Sequence, residues 1–200
     1  MARPFCRFAP IFVISLSAAL LLPIAGGNTL TAVQTQMSVT LRDYQPHDFA
    51  AVHRLDQACF PAGIAYSKTT LKYFLSLPSA DCLVAAEENR MVGFILTEEN
   101  PPLAHLITLD VAGAHRRTGI GSLLLSKIEK NLTLRGVRHV LLETAIDNDA
   151  AVAFWLGHGY RIEAVLKRYY LRRLDAYEMR KILPATEKNI RSEGREKPLE

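Results

Sequence analysis

The chain has 200 residues, 49% of them hydrophobic and 22% charged, with a formal net charge of +4, which suits one domain with a substantial core plus extensions. So mild a positive charge fits a small anionic ligand or a weakly acidic partner and does not call for nucleic acid. The three cysteines (Cys6, Cys59, Cys82) form no CxxC or Cys/His spacing, and the six histidines form no metal-type pair, which argues against a disulfide framework and a structural metal.

In chain order, Arg3 and Arg7 precede an apolar stretch over 8–25 that gives way to small residues, the pattern of a signal peptide. The stretch also grazes the length needed to span a bilayer. Residues 26–36 read as linker, and Met37 opens a complete small-domain length, 37–184. Three readings of the N-terminus follow: a cleaved signal, a retained anchor, or a start at Met37 preceded by an over-extended reading frame. The last makes the working domain cytoplasmic; the others export it or tether it to a membrane.

Alternation predicts a strand over 38–44. A helix is expected over 48–58, with Ala51, Val52 and Leu55 on one side, broken by Phe60-Pro61-Ala62-Gly63. Ser67 is a plausible N-cap for a second helix through Leu77. Two strands over 82–86 and 91–97 flank a hairpin turn at Glu87-Glu88-Asn89-Arg90, and a longer strand covers 103–111. The next helix, 119–135, carries the stripe Leu124, Leu125, Ile128 and Leu132 and stops at Gly136. Residues 139–144 form an almost wholly apolar strand, suited to the centre of a sheet. A short helix over 149–158 and strands over 161–166 and 176–182 complete the pattern. The basic run Lys167 to Arg173 suits a solvated or substrate-facing loop better than a nucleic-acid surface, and from Lys181 onward the composition is that of a loose tail. Helices and strands in this order make a mixed α/β domain, antiparallel early with a parallel pair in the middle.

The chemistry concentrates at 115–121, HRRTGIG, which joins a strand to a helix. A helix N-terminus presents unpartnered N–H groups and the positive end of the dipole. Gly119 and Gly121 let a ligand approach that backbone, and Arg116 and Arg117 add charge. The segment is therefore either a phosphate or diphosphate cradle or a tight turn beside a surface arginine pair. It is not a Walker loop, since no Gly-Lys-Ser/Thr follows, and Leu124 replaces the third glycine of a dinucleotide fingerprint.

Arg116-Arg117-Thr118-Gly119-Ile120-Gly121, within ITLDVAGAHRRTGIGSLLL, resembles the Arg/Gln-x-x-Gly-x-Gly/Ala motif of the GCN5-related N-acetyltransferase (GNAT) family. A second stretch, Leu142 to Tyr160, is similar to that family's LExxxxNxxAxxFYxxxGF pattern. The resemblance covers 39–183 and implies a mixed sheet of about seven strands flanked by about four helices, with acetyl-coenzyme A as co-substrate. Phe60-Pro61, Tyr66, Lys167-Arg168-Tyr169-Tyr170 and Asp175-Ala176-Tyr177-Glu178-Met179 together resemble the protein Nα-acetyltransferases, including the bacterial ribosomal-protein-alanine acetyltransferases. That subgroup implies a protein or peptide N-terminus as acceptor, held in a groove of Phe60, Pro61, Tyr66, Tyr169 and Tyr170. The alternative is that Phe60 and a tyrosine belong to the core.

By the same resemblance Leu109 and Val111 offer backbone N–H groups to the reacting carbonyl. The cofactor contacts implied are Arg116, Arg117, Thr118, Gly119, Ile120, Gly121, Ser122 and Asn148, the last also a candidate helix cap. An attacking amine must be uncharged, and Glu143, ending an apolar strand, is a candidate base acting through a water, or else a structural carboxylate. His105 on the preceding strand either shares that role or simply packs. The family's usual acid, a tyrosine, falls at Trp155, a very poor acid, which leaves Tyr169 and Tyr170 as candidates. An N-terminal acceptor is weighed against a small amine or lysine and against a non-catalytic coenzyme A module.

Overall fold

The structure, a computed structural model, describes residues 39–185. The apolar N-terminal stretch, Cys6, Met37, Ser38 and the tail over 186–200 lie outside the described residues. Seven strands form one sheet: β1 (Thr40–Asp43), β2 (Ala80–Glu87), β3 (Arg90–Asn100), β4 (Leu103–Val111), β5 (His139–Ala145), β6 (Arg161–Tyr170) and β7 (Leu174–Ile182). Their spatial order is β1-β2-β3-β4-β5-β7-β6. Every neighbouring pair is antiparallel except β4–β5, the parallel pair expected in the middle. Four α-helices cover the faces: α1 (Phe49–Cys59), α2 (Lys68–Leu75), α3 (Ile120–Leu134) and α4 (Asp149–Gly157).

Local chemistry sets most of the boundaries. The Ser67 hydroxyl accepts from the Thr70 N–H at 3.0 Å and starts α2 as predicted. Asp48 accepts both arms of Arg42, at 2.6 and 2.8 Å, and the Gln45 N–H, fixing the entry to α1. Glu88 and Asn89 both take positive φ, the signature of a tight two-residue hairpin between β2 and β3. The predicted stripe of α3 is buried against Ile95, Leu109, Val140 and Leu142, and each buried leucine or isoleucine contributes about 1.5–3 kcal/mol. On the opposite face Val52, Leu71 and Phe74 of α1 and α2 pack against Val84, Phe94 and Leu96. A third, smaller cluster gathers Cys59, Phe60, Ala145, Tyr170 and Ala176 where α1 ends near β5, β6 and β7.

Two expectations need correction. Lys167 to Tyr170 are strand, not loop, because Asp175 accepts from Lys167 Nζ and from the Arg168 N–H, both at 2.8 Å, and holds an irregular end of β6 against β7. Only 171–173 turn. Lys181 is not the start of a loose tail: its ammonium donates to Glu129 at 2.6 Å, and the buried Leu183 donates its N–H to Arg138.

One irregularity positions everything that follows. β4 and β5 pair only from Leu103↔His139 to His105↔Leu141 and then part. Beyond that point β4 carries a bulge at Ile107, between Thr108, opposite Leu96, and Leu106, opposite Thr97. The sheet thus opens into a fork.

Candidate active site at the strand fork

The fork exposes backbone. Ala112 donates its N–H to Val92 on β3 at 2.8 Å. Strand alternation then turns the N–H groups of Val111 and Leu109 the other way, toward the edge that β5 has left. Along this edge lies a cavity of about 510 Å³, running from Cys59 and Phe60 past Leu109, Asp110 and Val111 to Arg116, Arg117, Gly119, Gly121 and Ser122. Its remaining wall is Ala150, Ala153 and Phe154 of α4.

The segment read as a cradle forms the cavity's end. Gly119 has φ +92 and open space where a side chain would stand. Arg117, φ 65, takes the same left-handed region at a cost, so two such residues surround Thr118 and bend the loop. α3 begins next, and its first N–H groups have no intrahelical partners. Arg116 donates Nε to the Val111 carbonyl at 3.1 Å, which pins the guanidinium beside the cavity. A Cβ on Gly121 would stand 3.5 Å from the Phe154 ring and 3.8 Å from Val111, narrowing the channel between them. These features fit a diphosphate at the cradle and a slender chain along β4.

Ser122 is held by His158. The His158 Nδ1 donates to the Phe154 carbonyl at 2.7 Å, and Nε2 is hydrogen-bonded to Ser122 Oγ at 2.9 Å. Three of the expected cofactor residues stand outside the cavity wall. Thr118 turns its hydroxyl to the His115 carbonyl at 2.7 Å. Ile120 sends its side chain into the core. Asn148 caps α4 through Oδ1 to the Ala151 N–H at 3.2 Å, while its buried Nδ2 has no partner among the described residues.

The expected catalytic residues meet in the fork, beside the cavity. His105 Nε2 and Glu143 Oε2 are 2.8 Å apart, both side chains nearly buried. Tyr66 and Tyr170 lie near enough to this pair for each to feel the Glu143 charge, and Tyr169 packs edge-on to Tyr170 with ring centroids 4.8 Å apart. The Tyr170 hydroxyl is buried with no partner among the described residues, and burial, then Tyr169 and Glu143, push its pKa well above that of a free phenol. Tyr66 lies under the α1–α2 loop rather than on its surface, with its ring against Phe74 and its hydroxyl 3.5 Å from the Ile107 carbonyl at the bulge. Pro61 is exposed at the tip of that loop. Trp155 is 1% exposed and packs edge-on to Tyr160 and Phe154, away from the cavity wall.

Several site residues escaped the sequence reading. Ala150, Ala153 and Phe154 share one face of α4 at helical spacing, a signal present in the sequence. Glu178 stands directly opposite Glu143 across the β5–β7 pair, which only the strand register reveals.

The loop carrying Phe60 and Pro61 is tied down at its far end. Asp56 accepts the Tyr66 N–H at 2.9 Å, and Gln57 donates to the Tyr66 carbonyl at 2.9 Å. Burial pushes the Asp56 carboxyl up to about 6 against the pull of those donors. A raised carboxyl contributes stability that is full below its ordinary pKa and lost as pH rises through the folded value. Asp56→Asn keeps the acceptor but does not titrate. Urea unfolding is expected to show the wild type losing up to about 3 kcal/mol relative to this variant as pH rises from about 4 to 7.

The family model described as the acetyltransferase (GNAT) family matches residues 49–160, more than half of the chain. The chain belongs to the GNAT family. It is therefore an N-acetyltransferase, in a family whose fold uses acetyl-coenzyme A. Among curated relatives, the acetyltransferase is 28% identical over 155 residues to N-alpha-acetyltransferase 50 of Danio rerio, covering 72% of this chain and 89% of that protein. The solved structure of Ard1 from Thermoplasma volcanium is 28% identical, with a TM-score of 0.67 over 73% of this chain and 98% of that one. The ribosomal-protein-S18-alanine N-acetyltransferase of Escherichia coli has the same fold, with a TM-score of 0.69 at 22% identity over 76% of this chain and 98% of that one.

Proposed function

We propose that this acetyltransferase moves an acetyl group from acetyl-coenzyme A to the N-terminal α-amino group of a protein or peptide, directly, within a ternary complex. The observation that carries the reading is the fork itself: a hydrogen-bonded His105–Glu143 pair, with Tyr66 and Tyr170 near enough to feel the Glu143 charge, beside the β4 edge that β5 leaves after His105. When bound, the thioester supplies an electrophilic carbonyl and a thiolate leaving group.

The chain's own residues supply the rest. Arg116, Arg117 and the first N–H groups of α3 hold the diphosphate, and β4 lines the pantetheine arm. The N–H groups of Leu109 and Val111 stabilise charge on the carbonyl oxygen. Phe60, Pro61 and Tyr169 border the acceptor. An α-amino group has a pKa of about 7.7–8.0, so a carboxylate acting directly or through one water suffices to remove its proton. Glu143 takes that role, with His105 orienting Oε2. Tyr170, whose raised pKa keeps its proton in place, donates toward the leaving sulfur.

A peptide panel tests the acceptor. Peptides with free N-termini are expected to release coenzyme A thiol, and the same sequences with blocked N-termini and an internal lysine are not. Transfer only to lysine or to small amines would replace the acceptor assignment. Tight binding of acetyl-coenzyme A with no transfer would make the protein a binding module.

A further inference from the structure

Ser122 of α3 and Phe154 of α4 both line the cavity, and His158 joins them. His158 ends α4 as its C-cap residue, with its ring against the Phe154 ring at 4.1 Å between centroids. Its Nδ1 is 2.7 Å from the Phe154 carbonyl and its Nε2 is 2.9 Å from Ser122 Oγ. A carbonyl only accepts, so Nδ1 keeps its proton in both charge states of the ring and Nε2 alone gains or loses one. The two states set the serine differently. A bare Nε2 takes the only hydrogen of the Ser122 hydroxyl, and Oγ then offers the cavity nothing but lone pairs. A protonated Nε2 donates to Oγ and frees the hydroxyl hydrogen for an acceptor in the cavity.

Electrostatics adds to the coupling. Arg116, Arg117 and the positive end of α3 oppose a further cation beside Ser122, whereas the negative end of α4 favours one. On the other elements packed here, Glu129 of α3 and Lys181 of β7, which runs beside Gly159, pair with each other at 2.6 Å. A diphosphate at the cradle offsets the arginines and the α3 end, and leaves the pull of α4 in force.

We propose that His158 is a positioning residue of the cofactor site: as the ligand binds, Nε2 takes a proton from solvent, and the Ser122 hydroxyl turns to donate to a phosphate oxygen. The inference rests on the reading that the cavity takes acetyl-coenzyme A with its diphosphate at the cradle.

Calorimetric titration of the full chain in buffers of different ionisation enthalpy tests this by counting protons. The probe is dephospho-coenzyme A, which keeps the diphosphate but lacks the titrating monophosphate on the ribose. Near neutral pH the wild type is expected to take up a fraction of a proton, at most about one, per ligand bound. Its affinity should fall about tenfold between about pH 6 and 8, since one unit of linked shift is worth a factor of ten. Saturating acetyl-pantetheine, which has no phosphate, should bring no uptake. His158→Gln keeps a donor for Ser122 but does not titrate, and Ser122→Ala removes the hydroxyl. Both are expected to lose the uptake, and the Gln variant the pH dependence as well.

Nitrogen NMR of ring-labelled histidine supplies a readout that needs no folded variant beyond the one that assigns the signal. The His158 Nε2 resonance is expected to move from the bare toward the protonated range when dephospho-coenzyme A binds. An unmoved resonance, uptake undiminished in either variant, or equal uptake with acetyl-pantetheine would each overturn the proposal. A wild type that binds neither acetyl-coenzyme A nor dephospho-coenzyme A would instead remove the reading of the whole cavity, and this proposal with it.

Discussion

Glu143→Gln is expected to slow acetyl transfer to a peptide by about 10²–10⁴-fold, the usual worth of a positioned general base. The substitution keeps the volume and a hydrogen bond to His105 but leaves no carboxylate to take a proton. Glu143 is not part of the cavity wall, so calorimetric affinity for acetyl-coenzyme A should stay within a factor of about two. The effect belongs in kcat rather than in donor binding. His105→Ala should cost less, because it removes only the donor that orients Oε2, 2.8 Å away. A Gln variant that kept more than a tenth of the wild-type rate would rule Glu143 out as the base and shift attention to Glu178, its partner across the sheet.

The second large effect lies at the other end of the cavity. Reversing charge at both Arg116 and Arg117 to glutamate is expected to weaken acetyl-coenzyme A binding by at least about 100-fold, since hydrogen bonds to charged groups are worth roughly 1.5–3 kcal/mol each. Wild-type affinity should fall as salt rises, and the double variant's should not. Lysine at the same positions keeps the charge but loses the planar fork, so an intermediate loss is expected. Arg116 also anchors to the Val111 carbonyl, so thermal unfolding must accompany the titration to separate a weakened loop from a weakened site. Unchanged affinity in a folded double variant would mean that the cradle holds no diphosphate.

These two ends of the site differ in how they are written into the chain. The cradle is local: the glycine that takes positive φ, the helix start and both arginines lie within 116–121, so their roles follow from neighbouring backbone. Ala150, Ala153 and Phe154 of α4 are equally local, yet their helical spacing was not read as a cavity wall. The hydrogen-bonded pair in the fork is not local. His105 and Glu143 lie 38 positions apart, and their contact depends on where a parallel strand pair stops.

The strand ends show the same division. Hairpin and cap residues announced β2, β3 and α2, whereas the end of β6 and the order beyond the last strand were hidden, because Lys167, Arg168 and Lys181 look like solvated charge until Asp175 and Glu129 arrive from elsewhere in the fold. Tyr66, read as part of an acceptor groove, and Trp155, read at the family's acid position as a very poor acid, are both packed side chains, as burial depends on what covers a residue. By itself the sequence determined the order and type of the elements, the helix caps and the arginine- and glycine-bearing turn that opens α3, all set by interactions within a few residues. Only the tertiary structure decided the fork in the sheet, the Glu143–His105 contact, the Asp56 tie to the loop between α1 and α2 and the burial of Asp110. Each of these needs distant strands and helices brought into register, and hydrogen-bond reach and exclusion from water are properties of that assembled neighbourhood.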